Sequence, residues 1–129
     1  MKKKLLIADD DGDICALLKT VFEDKFEVDK VKNGKELIEK AVKEKPDLII
    51  TDVVMPSVSG YRAVKKLSGE PGFDNSAVIF TSGAIPDRDL YEMHKPKNMV
   101  SAFIPKPFNV AAVIKLADEL LDKKGKNNK

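Results

Sequence analysis

Short apolar runs alternate along the chain with longer segments in which apolar residues recur every three or four positions. The runs predict five β-strands, at residues 4–8, 26–31, 47–51, 77–82 and 101–105. Apolar runs of this length, bounded by polar residues, are typical of strands that are buried on both faces of a parallel sheet. The longer segments predict the helices that would cover those faces.

Five helices follow from the spacing of the apolar residues. The third, near residues 58–68, has a weaker pattern, and prolines limit the fourth to about Asp87–His94, because an interior proline breaks the backbone ladder. The first, second and last helices each carry one apolar stripe with i, i+3, i+4 spacing. These stripes are formed by Ile14, Leu17, Leu18, Val21 and Phe22, by Leu37, Ile38, Ala41 and Val42, and by Val110, Val113, Ile114, Ala117, Leu120 and Leu121.

Strands that alternate with helices predict an α/β fold, built as a single doubly wound five-stranded parallel sheet with five flanking helices. In such a sheet, ligands bind beyond the carboxyl ends of the strands, where the strand order reverses. We expect the domain to span residues 3–122. Residues 123–129 are then a basic tail or a linker stub.

The composition fits one globular domain. With 129 residues, of which 43% are apolar, the chain can bury one proper core but has no room for a second domain. No apolar stretch is long enough to span a membrane, and the first residues do not resemble a signal peptide, so we expect a cytoplasmic protein with no membrane contact. The lone cysteine, Cys15, lies among apolar positions of the first helix and is expected to be a buried thiol.

The formal net charge of +2 is misleading, because many lysines lie near the two ends of the chain. The body of the chain is acidic once these lysines are set aside, and it shows no basic stripe with interleaved aromatic residues. Direct contact with nucleic acid is therefore not expected. The terminal lysines are Lys2, Lys3, Lys4, Lys123, Lys124, Lys126 and Lys129.

Polar side chains follow four of the predicted strands at the point where each strand ends. They are Asp9, Asp10 and Asp11 after the first strand, Asp52 after the third, Thr81 and Ser82 at the end of the fourth, and Lys106 after the fifth. The carboxyl ends of parallel strands share one edge, so these groups should converge. Consecutive carboxylates repel one another and are costly to desolvate unless a cation lies among them. For any single aspartate, a role in turn formation is the alternative.

The combination favours a Mg²⁺ site that also holds a phosphoryl group. Carboxylate oxygens suit Mg²⁺, which keeps water ligands and commonly shares a phosphate. A metal site alone gains nothing from a nearby ammonium, whereas Lys106 and a hydroxyl at Ser82 would both stabilise phosphoryl oxygens. Asp52, flanked by Val53 and Val54, is then the natural nucleophile, and its attack on phosphorus would give an aspartyl phosphate.

The sequence resembles the receiver domain of response regulators in two-component phosphorelay systems, over about residues 3–122. The resemblance is carried by "LLIADDDGDI", "PDLIITDVVMPSVSG", "VIFTSG" and "FIPKPF". It implies a flavodoxin-like fold with strand order 2-1-3-4-5. It also implies a signalling domain that is not an enzyme in the metabolic sense and catalyses only its own phosphorylation and dephosphorylation.

The resemblance further implies a role for each group at the acidic edge. Asp10 and Asp52 would bind Mg²⁺, for which Mn²⁺ may substitute, together with the main-chain carbonyl of Val54. Asp9 would act on the metal directly or through water. Asp52 would be the phosphoacceptor, and Lys106 would pair with Asp52 and then with its phosphoryl group. The peptide bond that follows Lys106 would be cis.

A switch is implied by the same resemblance. Ser82 fits the switch hydroxyl better than Thr81, because Gly83 then supplies the small neighbouring residue. Phe103 matches an aromatic residue that turns inward when the hydroxyl moves toward the phosphate, and a plain core aromatic is its alternative role. Asp11 lies outside the acidic pair and is expected at the start of the first helix.

The implied partners are a histidine kinase or a histidine phosphotransfer protein, which would present a phosphohistidine. The transferred group would then change the surface formed by the fourth helix, the fifth strand and the fifth helix. That surface would serve a homodimer or an output partner. The segment "HKPKNMVSAF" departs from the family pattern, because it lacks a small turn that is common before the fifth strand.

Two other functions compete with this interpretation. A small Mg²⁺-dependent phosphatase or phosphotransferase also uses an aspartyl nucleophile, but it usually needs a second carboxylate two residues later, where this chain has Val54. A degenerate receiver that serves only as a protein-binding scaffold should have lost Asp10, Asp52 or Lys106. All three are present.

Overall fold

Strands and helices alternate along the chain, as the apolar pattern predicted. The computed structural model describes residues 2–83 and 88–127. The strands are β1 (Lys3–Ala8), β2 (Phe26–Val31), β3 (Leu48–Asp52), β4 (Ala77–Ser82) and β5 (Val100–Pro105). The helices are α1 (Gly12–Phe22), α2 (Gly34–Glu44), α3 (Gly60–Ser68), α4 (Arg88–His94) and α5 (Val110–Asn127). Within these described ranges, no helix is both long and apolar enough to cross a membrane.

The five strands form one parallel sheet in the order β2-β1-β3-β4-β5. The register sets Ala8 beside Val31 and Thr51, and Ser82 beside Pro105, so the carboxyl ends of the strands share one edge. The strand order reverses between β1 and β3, because β2 lies on one side of β1 and every later strand lies on the other. The predicted fold class and strand order are both confirmed.

The sheet separates two hydrophobic cores, because alternate residues of a strand point to opposite faces. On one face, residues such as Leu6 and Phe80 pack with side chains of α2, α3 and α4. On the other face, residues such as Ile7 and Ile79 pack with side chains of α1 and α5. Helices on both faces bury the central strands, which explains why those strands are apolar up to their polar carboxyl ends.

The ends of several elements differ from the predicted ones. Asp47 was expected to begin β3, but it lies outside the strand and its carboxylate accepts a hydrogen bond from the backbone N–H of Lys4 at 2.8 Å. Asp87, the expected first residue of the fourth helix, lies outside the described residues. α5 continues to Asn127, past the expected domain end at residue 122, and Lys124 pairs with Asp47 at 3.5 Å. The division into domain and tail stays a prediction.

Two glycines allow the loop after β3 to pack tightly. A Cβ at Gly60 would overlap the backbone carbonyl oxygen of Asp52, and a Cβ at Gly34 would overlap that of Val58. The N–H of Gly60 also donates to the carbonyl of Val53 at 2.8 Å. The loop that carries Asp52 is therefore held against two helix starts by close backbone contacts that no other residue type permits.

We predict that Gly60→Ala lowers the free energy of unfolding by about 1–3 kcal/mol, because the added methyl group must displace the backbone of Asp52 or of α3. Chemical denaturation followed by circular dichroism measures this. Gly12→Ala is the matched control, since a Cβ at Gly12 would meet no atom within 4 Å. That helical substitution should leave stability unchanged or raise it by up to about 1 kcal/mol. Equal unfolding midpoints for the two variants would contradict the prediction.

Candidate functional site

Five polar residues meet at the carboxyl edge of the sheet. Asp9 and Asp10 directly follow β1, Asp52 ends β3, Ser82 ends β4, and Lys106 directly follows β5. The parallel arrangement brings these residues together although they are up to 97 positions apart in the sequence. The structure therefore places all of the predicted acidic and basic site residues at one edge, as the strand ends suggested.

Lys106 joins two of the carboxylates. Its Nζ lies 2.8 Å from Oδ2 of Asp9 and 3.3 Å from Oδ2 of Asp52. The three side chains are largely buried, with exposed fractions of 15% for Lys106, 3% for Asp9 and 9% for Asp52. The expected pair of Lys106 with Asp52 is therefore present, but Asp9 is the closer partner.

Both carboxylate oxygens of Asp9 already have a donor. Oδ1 accepts a hydrogen bond from the backbone N–H of Asp11 at 2.9 Å, and Oδ2 accepts the bond from Lys106. Its neighbour Asp10 is exposed and accepts no hydrogen bond from the described part of the chain. The two adjacent aspartates thus differ, because Asp9 orients the lysine while Asp10 keeps its oxygens available.

Asp52 is buried, but its carboxylate oxygens accept only long hydrogen bonds. Its Oδ1 accepts from the backbone N–H of Val54 at 3.4 Å and its Oδ2 from Lys106 at 3.3 Å, both near the long limit for a hydrogen bond. The backbone on either side is firmly fixed, since Val53 donates to the carbonyl of Thr81 at 2.8 Å. Asp52 therefore combines a fixed position with carboxylate oxygens that are only weakly satisfied.

The pKa values reflect this arrangement. Burial raises the pKa of the Asp52 carboxyl, the Lys106 ammonium opposes that shift, and the negative charge of Asp9 adds to it. Burial alone would lower the pKa of Lys106, but its hydrogen bond to Asp9 and the charges of both aspartates raise the pKa above its usual range. Lys106 is therefore a permanent cation at neutral pH, and the acidic edge remains short of positive charge.

The three aspartates could share one metal ion. One carboxylate oxygen from each of Asp9, Asp10 and Asp52 lies within 4.8 Å of the other two. An all-oxygen donor set with negative charge suits Mg²⁺ better than a soft metal. The donor chemistry therefore fits the expected Mg²⁺ ion.

Two neighbouring residues have structural roles that the sequence predicted. The Asp11 side chain accepts hydrogen bonds from the backbone N–H groups of Asp13 at 2.9 Å and Ile14 at 3.4 Å, so it is the N-cap of α1. Cys15 is buried, and its thiol donates to the backbone carbonyl of Asp9 at 3.4 Å. Burial is also the main cause that raises the pKa of the Cys15 thiol. Both expectations are confirmed, and so is the cis bond between Lys106 and Pro107.

The predicted switch residues lie on the side of the sheet that α4 covers. Phe80 and Phe103 are paired in the register of β4 and β5 and both contact the core beneath α4. Ser82 lies two residues after Phe80 and so points to the same face, whereas Thr81 points to the opposite face. The carbonyl of Ser82 accepts a hydrogen bond from the backbone N–H of Lys106 at 2.7 Å.

The sequence did not predict that Tyr91 of α4 packs against the predicted switch residue Phe103. Its ring lies 5.7 Å from the ring of Phe103 and 6.0 Å from that of Phe80, and its hydroxyl lies 2.8 Å from Oγ of Ser101. The short, proline-bounded segment gave no clear helical face from which its burial could be inferred. The available signal was that this segment carries an aromatic residue, Tyr91, while strands β4 and β5 carry Phe80 and Phe103.

Comparisons with known proteins agree with this geometry. A family model described as the response regulator receiver domain matches residues 5–118. Chemotaxis protein CheY of Halobacterium salinarum is 31% identical over 126 residues, which cover 94% of this chain and 98% of that protein. Hybrid signal transduction histidine kinase D of Dictyostelium discoideum is 31% identical over 119 residues, which cover 89% of this chain and 8% of that protein. The chain also spans about half or less of two other relatives.

A solved structure shows the same fold. The CheY-like response regulator receiver domain protein from Methanospirillum hungatei JF-1 matches with a TM-score of 0.86 and covers 98% of this chain and 99% of its own. The two sequences are 23% identical. The architecture is thus shared with little sequence in common.

We predict that Lys106→Met, measured without divalent metal, lowers the free energy of unfolding by about 2–4 kcal/mol, because two buried carboxylates lose their counter-charge. Asp52→Asn should instead raise stability at neutral pH, since burial disfavours the ionised form of Asp52. Lys95→Met is the matched control. It removes an exposed ion pair with Glu92 and a surface contact with the Tyr91 ring, so its effect on stability should be small. Denaturant titration measures all three, and equal losses for Lys106→Met and Lys95→Met would refute the argument.

Proposed function

The chain belongs to the response regulator receiver domain family, and we propose that it accepts a phosphoryl group on Asp52 from a phosphohistidine donor. Receiver domains are signalling domains and not metabolic enzymes. The observation that carries the proposal is the state of Asp52, a buried but weakly satisfied carboxylate that lies 3.3 Å from the Lys106 ammonium and beside two further aspartates.

In the proposed step, an oxygen of Asp52 attacks the phosphorus atom of the phosphohistidine. A P–O bond forms, the P–N bond breaks, and the imidazole nitrogen of the donor leaves with the electron pair and takes up a proton. The product is an aspartyl phosphate. Because the backbone around Asp52 is fixed by its neighbours in β4 and α3, the nucleophile is positioned before the donor arrives.

The receiver family binds Mg²⁺ through an acidic pocket. Here Asp10 and Asp52 would hold the ion, with the main-chain carbonyl of Val54 and with Asp9 directly or through water. Mn²⁺ would be able to substitute for Mg²⁺. When bound, the metal neutralises negative charge on the phosphoryl oxygens. The exposed Asp10 accepts no hydrogen bond from the described residues, whereas each oxygen of Asp9 already accepts one and has one lone pair left for the metal or a water.

Lys106 supplies the second positive charge. Its ammonium is held between Asp9 and Asp52, so it can remain on Asp9 while it transfers its weaker contact from Asp52 to a phosphoryl oxygen. This role depends on Asp9 as a positioning residue and explains why the shorter bond goes to Asp9. Hydrolysis of the aspartyl phosphate by the domain itself belongs to the same proposal.

Phosphorylation would then change the surface formed by α4, β5 and α5. The added charge of about −2 can attract the hydroxyl of Ser82, and Phe103 would turn toward the space that the hydroxyl leaves. Phe103 packs against Tyr91, so its movement would shift α4. On α4, Leu90 and Met93 are 44% and 73% exposed, which makes this surface suitable for a protein contact.

We propose that the phosphoryl donor and the output partner are both proteins. Receiver domains interact with histidine kinases and phosphotransfer proteins, and one relative of this chain is a hybrid histidine kinase. The α4-β5-α5 surface would bind a second copy or an output partner. We propose that the domain acts in the cytoplasm and does not contact nucleic acid itself.

We predict that the protein incorporates phosphate from a small phosphodonor such as acetyl phosphate, that chelation of Mg²⁺ prevents this, and that Asp52→Asn abolishes it. Asp10→Asn should reduce labelling by at least about tenfold, because the metal loses a ligand. Mass spectrometry of the intact protein, or radiolabel retained under mild conditions, gives the measurement.

The matched control for these variants is Asp11→Asn. Asparagine caps a helix as well as aspartate does, so α1 should stay intact while one negative charge beside the site is removed. This variant should label at a rate close to that of the parent protein. Unchanged labelling of Asp52→Asn would overturn the proposal, and steady turnover of a small phosphoester would favour a phosphatase instead.

A further inference from the structure

A groove between α2 and α3 differs in its chemistry from the acidic edge. Its volume is about 450 Å³, and it is lined by Ile38, Val58, Arg62, Lys65 and Lys66. Ile38 and Val58 are partly buried side chains that pack on the core beneath α2 and α3. The groove therefore combines an apolar lining with three basic side chains.

All of the charged residues that line this groove are cations. Among the residues that the structure describes, Arg62, Lys65 and Lys66 have no acidic partner within salt-bridge distance. The acidic residues Glu36 and Glu39 of α2 line a separate depression, beside Lys30, Lys40 and Lys43. The positive charge of the groove is therefore not neutralised within the described protein.

Helix stability does not explain the arginine. The first turn of a helix favours acidic side chains because of the backbone dipole, and α1 and α2 follow this rule with Asp13 and Glu36. In α3 the first turn has no acidic residue and carries Arg62 instead. Lys65 and Lys66 lie in the last turn, where the dipole favours them. Arg62 thus opposes the dipole of its own helix, so the dipole does not account for a cation at this position.

We propose that this groove binds an acidic segment of a partner protein. Carboxylates of the segment would pair with Arg62, Lys65 and Lys66, and one apolar side chain would insert between Ile38 and Val58. The apolar lining favours a peptide over a nucleic acid, because a phosphodiester backbone has no apolar side chain to fill it. This binding does not require phosphorylation, so it stands apart from the function proposed above.

Fluorescence polarisation with a short labelled peptide of Glu and Asp residues around one central Leu tests the proposal. We expect saturable binding that weakens by about tenfold in the double variant Arg62→Glu/Lys65→Glu, since paired charges become repulsive. We also expect a clear loss when the Leu of the peptide is replaced by Ser. Circular dichroism confirms that the variants are folded, and phosphate labelling of Asp52 should be unchanged.

The matched control is Lys40→Glu/Lys43→Glu, which makes the same change in net charge on the other side of α2. It should bind the peptide within about twofold of the parent protein. An equal loss in both double variants, no effect of the Leu replacement, or no binding at all would overturn the proposal. Self-association that depends on Arg62 and Lys65 would overturn it as well, because the occupant would then be a second copy.

Discussion

Electrostatic repulsion among the aspartates at the carboxyl edge of the sheet is the constraint on which the rest of the structure depends. Burying carboxylates together is unfavourable unless a cation balances them. Lys106 provides that balance from the end of the fifth strand, and its shorter bond is to Asp9. Asp52 is consequently left with the weaker contact, which keeps its oxygens available for chemistry. A stronger hydrogen bond from Lys106 would stabilise the Asp52 carboxylate and make it a weaker nucleophile.

The topology is what makes this balance achievable. In a parallel sheet every strand delivers its last residue to the same edge, so three strands supply the two buried carboxylates and the ammonium without any long connection. The loop after β3 must then lie close to two helix starts, and glycine at positions 34 and 60 permits it. The placement of Asp52 therefore depends on two residues that carry no side chain.

Much of this organisation could be predicted from the sequence. Apolar runs gave the strands, and the residues at strand ends gave the acidic edge, because sheet geometry alone decides where strand ends meet. The sequence could not predict that Lys106 lies closer to Asp9 than to Asp52. This depends on a small difference between two distances, 2.8 Å from the Lys106 Nζ to Asp9 and 3.3 Å to Asp52. The role of Tyr91 was also missed, because packing against Phe80 and Phe103 determines it and periodicity in a short helix does not. The sequence did not predict how far α5 continues, because residues 123–127 include Gly125 and Asn127, which have low helix propensity.

The separation of the interior into two cores has a mechanical consequence. Phe80, Tyr91 and Phe103 all belong to the core beneath α2, α3 and α4, while α1 and α5 pack on the opposite face. A rotation of Phe103 would therefore act directly on the core beneath α2, α3 and α4, against which this ring packs. The core beneath α1 and α5, on the opposite face of the sheet, contains none of these three rings. α4 contacts the other core through Tyr91, so the position of the helix depends on the contacts of that ring with Phe80 and Phe103.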